Sequence, residues 1–129
     1  MTARRTAIPA AGGVAPISAA VRWHDLLFCS GIAPVDPVTL QARGEDVVEQ
    51  AHLAITELDE LLRSQGTDLG HVLRLECFLA QPSDFPAWNQ VYQEVFPIDP
   101  PARTTLIAGF ALGGLLIEIQ AVAGIPVTG

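Results

Sequence analysis

Two charged residues stand out because each interrupts an apolar, strand-like segment near the end of the sequence. Arg103 follows Pro100-Pro101-Ala102 and enters the run Thr104-Thr105-Leu106-Ile107. Glu118 lies inside the alternating segment 115–123. A guanidinium can bind a carboxylate through two parallel hydrogen bonds, and a carboxylate within an apolar strand is costly to bury unless it is paired or functional. Such a pair can hold a small acid and move protons on it.

Each residue also has a purely structural interpretation. Glu118 fits an edge strand that faces solvent, and Arg103 fits a solvated edge or a salt bridge to Glu118. The functional interpretation requires both side chains to reach one pocket. Because the two residues lie on consecutive strands, we expect a β-hairpin to bring them together.

Two weaker candidates lie earlier in the chain. Gly31 follows an apolar strand, where it either ends the strand or lets the backbone approach a ligand closely. Asn89 lies on a predicted helix and is either a polar surface residue or a residue that orients a loop. Neither position stands out alone.

The charge balance argues against nucleic acid as the primary partner. The net charge is -7, and the seven basic residues are scattered arginines without a single lysine. A nucleic-acid surface needs clustered positive charge to neutralise phosphates. An acidic protein that binds a small carboxylate needs a locally placed, partly desolvated cation instead.

Cysteine and histidine spacing predicts neither a metal nor a cofactor. Cys29 and Cys77 lie in apolar runs typical of reduced core thiols, and His24, His52 and His71 form no metal-binding motif. The residues after the N-terminal Met have no signal-peptide pattern, and no apolar stretch reaches the roughly 18 residues of a membrane span. These features predict a cytoplasmic protein without membrane contact.

Hydrophobic periodicity predicts one α+β domain over residues 1–129, with the order β-β-α-β-α-β-β. The N-terminal stretch through residue 17 is expected to be extended or loop. The predicted strands are 19–23, 26–30, 71–80, 102–108 and 115–123, and the predicted helices are 45–65 and 83–96. Two helices on one face of a mixed sheet leave the other face apolar, and half of all residues are apolar. A second subunit is the simplest cover for that face.

Three segments together resemble a known family. They are SGIAP (30–34), DFPAWNQVY (84–92), and PARTT (101–105) followed by LIEIQAVA (116–123). In this order they are similar to the signature of the reactive-intermediate deaminase (RidA/YjgF) family, also labelled L-PSP endoribonucleases. The match spans nearly the whole chain, which makes it more specific than any one motif.

The resemblance implies a chorismate-mutase-like fold and a homotrimer whose sheets surround a central barrel, with sites at the subunit interfaces. It also implies a hydrolytic deaminase that releases ammonia from small enamine or imine carboxylic acids. Arg103 would bind the substrate carboxylate, and Glu118 would position or activate a water. Gly31, Asn89 and Thr105 would complete the substrate pocket.

The sequence departs from the family pattern at two positions. Thr105 stands where many members have Cys, and Ile17 stands at the place of a Tyr in the pocket wall. Both changes suggest a specialised subfamily with a more apolar pocket. Two other functions stay open, namely a non-catalytic module that senses a small carboxylate and, with less support, a ribonuclease.

Overall fold

The computed structural model describes residues 4–13 and 16–127, and it forms a six-stranded sheet with two helices. The elements are β1 (Arg5–Pro9), β2 (Ser18–Trp23), β3 (Leu26–Cys29), α1 (Val47–Ser64), β4 (Val72–Leu79), α2 (Phe85–Val95), β5 (Ala102–Ile107) and β6 (Ile117–Gly124). The predicted α+β class with two helices is therefore confirmed.

The sheet order is β1-β2-β3-β6-β4-β5. The β4 and β5 strands pair in parallel, whereas every other neighbouring pair is antiparallel. The hairpin expected between β5 and β6 is wrong, because β4 lies between these two strands. The reason is that α2 carries the chain from β4 back to the starting end of the sheet, so that β5 can only run parallel to β4.

The N-terminal prediction was incomplete. Over residues 5–9 the chain pairs with β2 as an edge strand, from Arg5 opposite Trp23 to Ile8 opposite Ala20. Its residues are mostly exposed, so they lack the apolar alternation that reveals a strand in a sequence. Within the predicted stretch, Ala11–Gly13 forms a short 3-10 turn, and residues 1–3 and 14–15 lie outside the described residues.

Alternation along the central strands separates the two sheet faces. On β4 and β6 every second residue is fully or almost fully buried with the helices in one core, as Leu75, Cys77, Ile117 and Ile119 show. The residues between them lie on the opposite face, which the helices leave open. That face carries apolar side chains such as Phe28, which is 45% exposed.

The α1 helix has a buried polar residue, Gln50, which the periodicity did not predict. Its amide donates to the carbonyls of Gly44 (3.2 Å) and Gly114 (2.9 Å), and its Oε1 accepts from the backbone N–H of Leu116 (2.8 Å). These three bonds satisfy the side chain and fix the chain where it enters β6. Asp46 caps the same helix by accepting from the N–H of Glu49 at 2.8 Å.

Candidate functional site

The guanidinium of Arg103 is held by one side of α2. Phe85, Asn89 and Tyr92 recur at intervals of four and three residues, which places them on the same face of the helix. Arg103 Nη1 donates to Asn89 Oδ1 at 2.9 Å, and the guanidinium carbon lies 4.4 Å from the centre of the Tyr92 ring and 5.7 Å from that of Phe85. These four residues, here called the arginine cluster, orient a half-buried cation.

Tyr92 also fixes the strand that carries the cation. Its hydroxyl donates to the carbonyl of Pro101 at 3.2 Å, two residues before Arg103. Burial raises the pKa of Tyr92, although the charge of Arg103 opposes that shift. The neutral hydroxyl therefore keeps its donated bond, and the start of β5 stays attached to α2.

A small polar group lies beside the arginine cluster. Thr105, two residues beyond Arg103, pairs with Cys77 on β4. Within the described residues, the Thr105 hydroxyl and the indole N–H of Trp88 are buried without a hydrogen-bond partner. Burial raises the pKa of the Cys77 thiol to about 12, so this sulfur is not a thiolate nucleophile at neutral pH.

Glu118 lies against Gly31, and the two residues are here called the glutamate–glycine pair. A Cβ atom on Gly31 would lie 2.7 Å from Glu118 Oε1 and 3.2 Å from the carboxyl carbon, so only glycine leaves room for this carboxylate. Burial raises the pKa of Glu118 above the usual range for Glu. This upward shift makes Glu118 a stronger proton acceptor when it is ionised than an ordinary Glu carboxylate.

Backbone bonds hold Gly31 in register with β6. The N–H of Ile32 donates to the carbonyl of Ile119 at 2.6 Å, and the N–H of Ile119 donates back at 3.0 Å. The hydroxyl of Ser30 donates to the Ser18 carbonyl at 2.6 Å. The segment around Gly31 is thus fixed on both sides, which explains how the glycine keeps its close approach to the carboxylate.

Arg103 and Glu118 point to opposite faces of the sheet. Arg103 pairs with the buried Leu75 and contacts α2, which places it on the helix side. Glu118 pairs with Phe78 and lies between the buried Ile117 and Ile119, which places it on the open side. A single chain therefore does not bring the two side chains into a common pocket, contrary to the expectation from consecutive strands.

The other predicted residues divide between these two regions. Asn89 and Thr105 accompany Arg103, whereas Gly31 accompanies Glu118. Ile17 is 56% exposed and directly precedes Ser18, the residue that accepts from Ser30. It therefore lies on the side of the glutamate–glycine pair.

The sequence interpretation missed Phe85 and Tyr92 as parts of the arginine cluster. Their spacing around Asn89 was visible as a helical face, but apolar and aromatic residues at that spacing usually pack in a core. Only the position of β5 beside α2 gives them a cation to contact.

Residues 4–13 and 16–127 contain no group of three or more His, Cys, Asp or Glu side chains arranged to hold a metal ion. No helix among them has both the length and the apolar character that crossing a membrane requires. The cytoplasmic location stays a prediction.

Comparison with known proteins identifies the family. The sequence profile described as Endoribonuclease L-PSP matches residues 7–125. The chain is 36% identical over 113 residues to RutC family protein y4sK of Sinorhizobium fredii, covering 88% of this chain and 90% of that protein. It is 35% identical over 115 residues to the 2-iminobutanoate/2-iminopropanoate deaminase of Capra hircus, covering 88% and 83%.

Solved structures agree with this result. A member of the YjgF protein family from Neisseria meningitidis superposes with a TM-score of 0.83 at 25% identity, covering 96% of this chain and 97% of that one. The chain therefore belongs to the Endoribonuclease L-PSP family, which is also the RutC/YjgF/RidA family, as its three sequence segments indicated.

Proposed function

We propose that this protein is a hydrolytic deaminase that releases ammonia from small enamine or imine carboxylic acids. Its site combines the arginine cluster of one subunit with the glutamate–glycine pair of a neighbouring subunit in a homotrimer. One observation carries the proposal: an oriented cation, Arg103, lies on one face of the sheet, and a carboxyl group of raised pKa, Glu118, lies on the other. A deaminase among the relatives supports the reaction class.

The arginine cluster binds the substrate carboxylate. Arg103 has five N–H donors, and its bond to Asn89 leaves the others for two parallel bonds to a carboxylate. Because Tyr92 and Asn89 already set the plane of the guanidinium, little side-chain freedom is lost when the acid binds. The electrophilic carbon of the substrate is then held at a set distance from the carboxylate.

Glu118 acts on the water. As a carboxylate it takes a proton from the water while the water oxygen bonds to the C=N carbon, and it passes this proton to the nitrogen to give a neutral carbinolamine. It then takes the hydroxyl proton of the carbinolamine as the C=O bond forms and delivers it to the nitrogen as the C–N bond breaks, so ammonia leaves, a keto acid remains and Glu118 is again a carboxylate. An enamine must first take up a proton on carbon to give the imine. General acid–base catalysis of this kind contributes about 10²–10⁴-fold.

A neighbouring subunit accounts for two features at once. It covers the open sheet face, on which Phe28 is 45% and Leu106 is 53% exposed, and it supplies the missing half of the site. A salt bridge between Arg103 and Glu118 within one chain, the structural interpretation of the sequence, is incompatible with their positions on opposite faces.

The activity is tested with 2-iminopropanoate made in situ by an amino-acid oxidase acting on alanine. Semicarbazide traps the imine, and a deaminase that hydrolyses the imine first lowers the rate of semicarbazone formation. We expect the wild-type protein to lower that rate and the Arg103→Ala variant to leave it unchanged. Equal rates with both proteins, on this imine and on 2-iminobutanoate, would contradict the proposal.

Mixed oligomers test the shared site. We expect Arg103→Ala and Glu118→Gln subunits each to keep only residual activity in pure form, whereas a site that joins two subunits is intact wherever a native Arg103 and a native Glu118 come from different chains. Random co-assembly at equal amounts therefore restores about a quarter of the wild-type sites. If the mixture stays as inactive as the pure variants, while size and subunit exchange are verified by native mass spectrometry, the shared site is wrong.

The alternative is a module that binds a small carboxylate without turning it over. In that case Glu118→Gln keeps its affinity for a 2-keto acid, and no imine is consumed by the wild-type protein. A ribonuclease is disfavoured by the net charge of -7.

A further inference from the structure

A second concave surface lies at the opposite edge of the sheet from Arg103. It is an open cleft of about 690 Å³ on the helix side of β1 and β2, beside the end of α1. This volume falls within the range of small-molecule sites, which is roughly 300–1,000 Å³. Its polar lining comes from Arg4, Thr6, Arg22, His24, Asp25 and Gln65.

The cleft gathers positive charge in an otherwise acidic protein. It holds two of the seven arginines of a chain whose net charge is -7, and a single carboxylate, that of Asp25, lines it. Arg22 Nε donates to the carbonyl of His24 at 2.7 Å, which orients the guanidinium and leaves its two terminal nitrogens free to face the cleft. Among the described residues, no carboxylate lies within 4.0 Å of Arg4 or Arg22.

The end of α1 does not account for these cations. Positive side chains are favourable near the carbonyl end of a helix, but two of the last three carbonyls of α1 already accept from their own chain. The Leu62 carbonyl accepts from the N–H groups of Gln65 and Thr67 at 3.0 Å each, and the Arg63 carbonyl accepts from that of Gly66 at 3.2 Å. Arg63 itself, in the last turn, pairs with Asp59.

We propose that this cleft binds a small organic dianion, a phosphate monoester or a dicarboxylate. The guanidinium groups of Arg4 and Arg22 bind the anionic groups, because a planar fork matches carboxylate and phosphate oxygens. The Thr6 hydroxyl and the Gln65 amide supply neutral donors. Ile8 lines the same cleft and gives the carbon skeleton an apolar contact.

Asp25 lowers the affinity of the cleft for anions and favours ligands that also carry a hydrogen-bond donor. Its carboxylate lines the cleft and repels an anion placed beside it. A ligand with a hydroxyl or amine group between its anionic groups can donate to Asp25 and is therefore favoured over a plain dianion. Within one chain the cleft is separate from both halves of the proposed deaminase site, since β1 and β5 are the two outer strands of the sheet and Glu118 lies on the sheet face opposite to the cleft.

Calorimetric titration of the purified protein with malonate and with glycerol 3-phosphate tests the proposal. The titrations use the Arg103→Ala protein, so that binding at Arg103 cannot contribute. We expect saturable binding of at least one probe, weakened about tenfold or more by Arg22→Gln, in line with the loss of a charged hydrogen bond. Arg43→Gln, which removes the same charge from an exposed loop, is the matched control and should bind as its parent does.

The two probes separate the possible ligand sources. Tighter binding of malonate assigns the cleft to dicarboxylates, and tighter binding of glycerol 3-phosphate assigns it to phosphate esters. The proposal is overturned if neither probe saturates, or if Arg22→Gln and Arg43→Gln weaken binding equally. Arg4→Gln is the second variant, for use if circular dichroism shows that Arg22→Gln does not fold.

Discussion

The arginine cluster and the glutamate–glycine pair differ in how much of each is complete within one chain. The arginine cluster has a hydrogen bond at 2.9 Å, a ring contact at 4.4 Å and a brace to its own strand through Tyr92. The glutamate–glycine pair has one close contact, and its carboxylate faces the open side of the sheet. The contacts that orient the cation are thus complete within one chain, whereas the carboxylate faces a surface that a neighbouring subunit would cover in the proposed homotrimer.

This difference matches the two roles that the proposed function assigns to these residues, namely carboxylate recognition by Arg103 and proton exchange by Glu118. A group that only has to recognise a carboxylate gains from being rigid before the ligand arrives. A group that has to exchange protons gains from a pKa that its surroundings can tune, and burial already raises that of Glu118. The following variants separate these two roles.

The largest expected effect is at Arg103. Arg103→Ala should lower kcat/KM for 2-iminopropanoate by about 10³-fold, because both the charge and the fixed geometry are lost. Arg103→Lys should recover little of this loss, since an ammonium cannot form the planar fork. Steady-state kinetics with thermal melting as the folding control measures both. A Lys variant close to wild type would mean that the prior orientation by Asn89 and Tyr92 is unimportant.

Glu118→Gln should lower kcat by about 10²-fold, because the amide can hold a water but cannot take its proton. In the wild type, activity should fall as the pH drops through the raised pKa of Glu118, and therefore at a higher pH than the value of about 4.3 for an ordinary Glu.

The pH dependence of the melting temperature tests the raised pKa of Glu118 independently of activity. A raised folded-state pKa means that Glu118 contributes stability below its unfolded pKa and loses that contribution as the pH rises through the folded value. Glu118→Gln should therefore match the wild-type melting temperature in acid and exceed it at neutral pH. A variant that melts lower than wild type at neutral pH would show that the ionised carboxylate is stabilised by a partner.

The smallest of these effects is expected at Gly31. Gly31→Ala places a Cβ atom 2.7 Å from Glu118 Oε1 and forces the carboxylate to move, so kcat should fall about tenfold while KM changes little. Gly109→Ala is the matched control, because a Cβ atom there meets nothing within 4 Å. Equal kinetics for the two variants would show that the exact position of the carboxylate is unimportant.

Local patterns predicted most of the secondary structure and failed in identifiable places. The apolar stripe located α1 to within two residues at its start, and the two-residue turn at His24-Asp25 identified the β2–β3 hairpin. The β1 strand was not predicted, because the side chains of an exposed edge strand need not alternate between apolar and polar. The burial of Gln50 was not predicted, because a buried amide is stable only when it forms hydrogen bonds. Two of its three partners lie more than sixty residues away in the sequence.

For the candidate site, too, the sequence predicted the residues but not their arrangement in space. Residue types and their order were sufficient to select Arg103 and Glu118 and to suggest their chemistry, because a guanidinium and a carboxyl group in apolar strands need an explanation wherever they lie. Their spatial relation was not predictable from the pattern, since alternation assigns residues to faces but does not say which strands are neighbours.

The sequence by itself determined the family, the two helices, the alternation of the central strands and the two charged residues on which the proposed function depends. The tertiary structure alone decided that β6 lies between β3 and β4, and therefore that Arg103 and Glu118 face opposite sides of the sheet. The physical reason is that strand pairing depends on how distant segments share one core and one set of backbone hydrogen bonds, which no local window of residues contains.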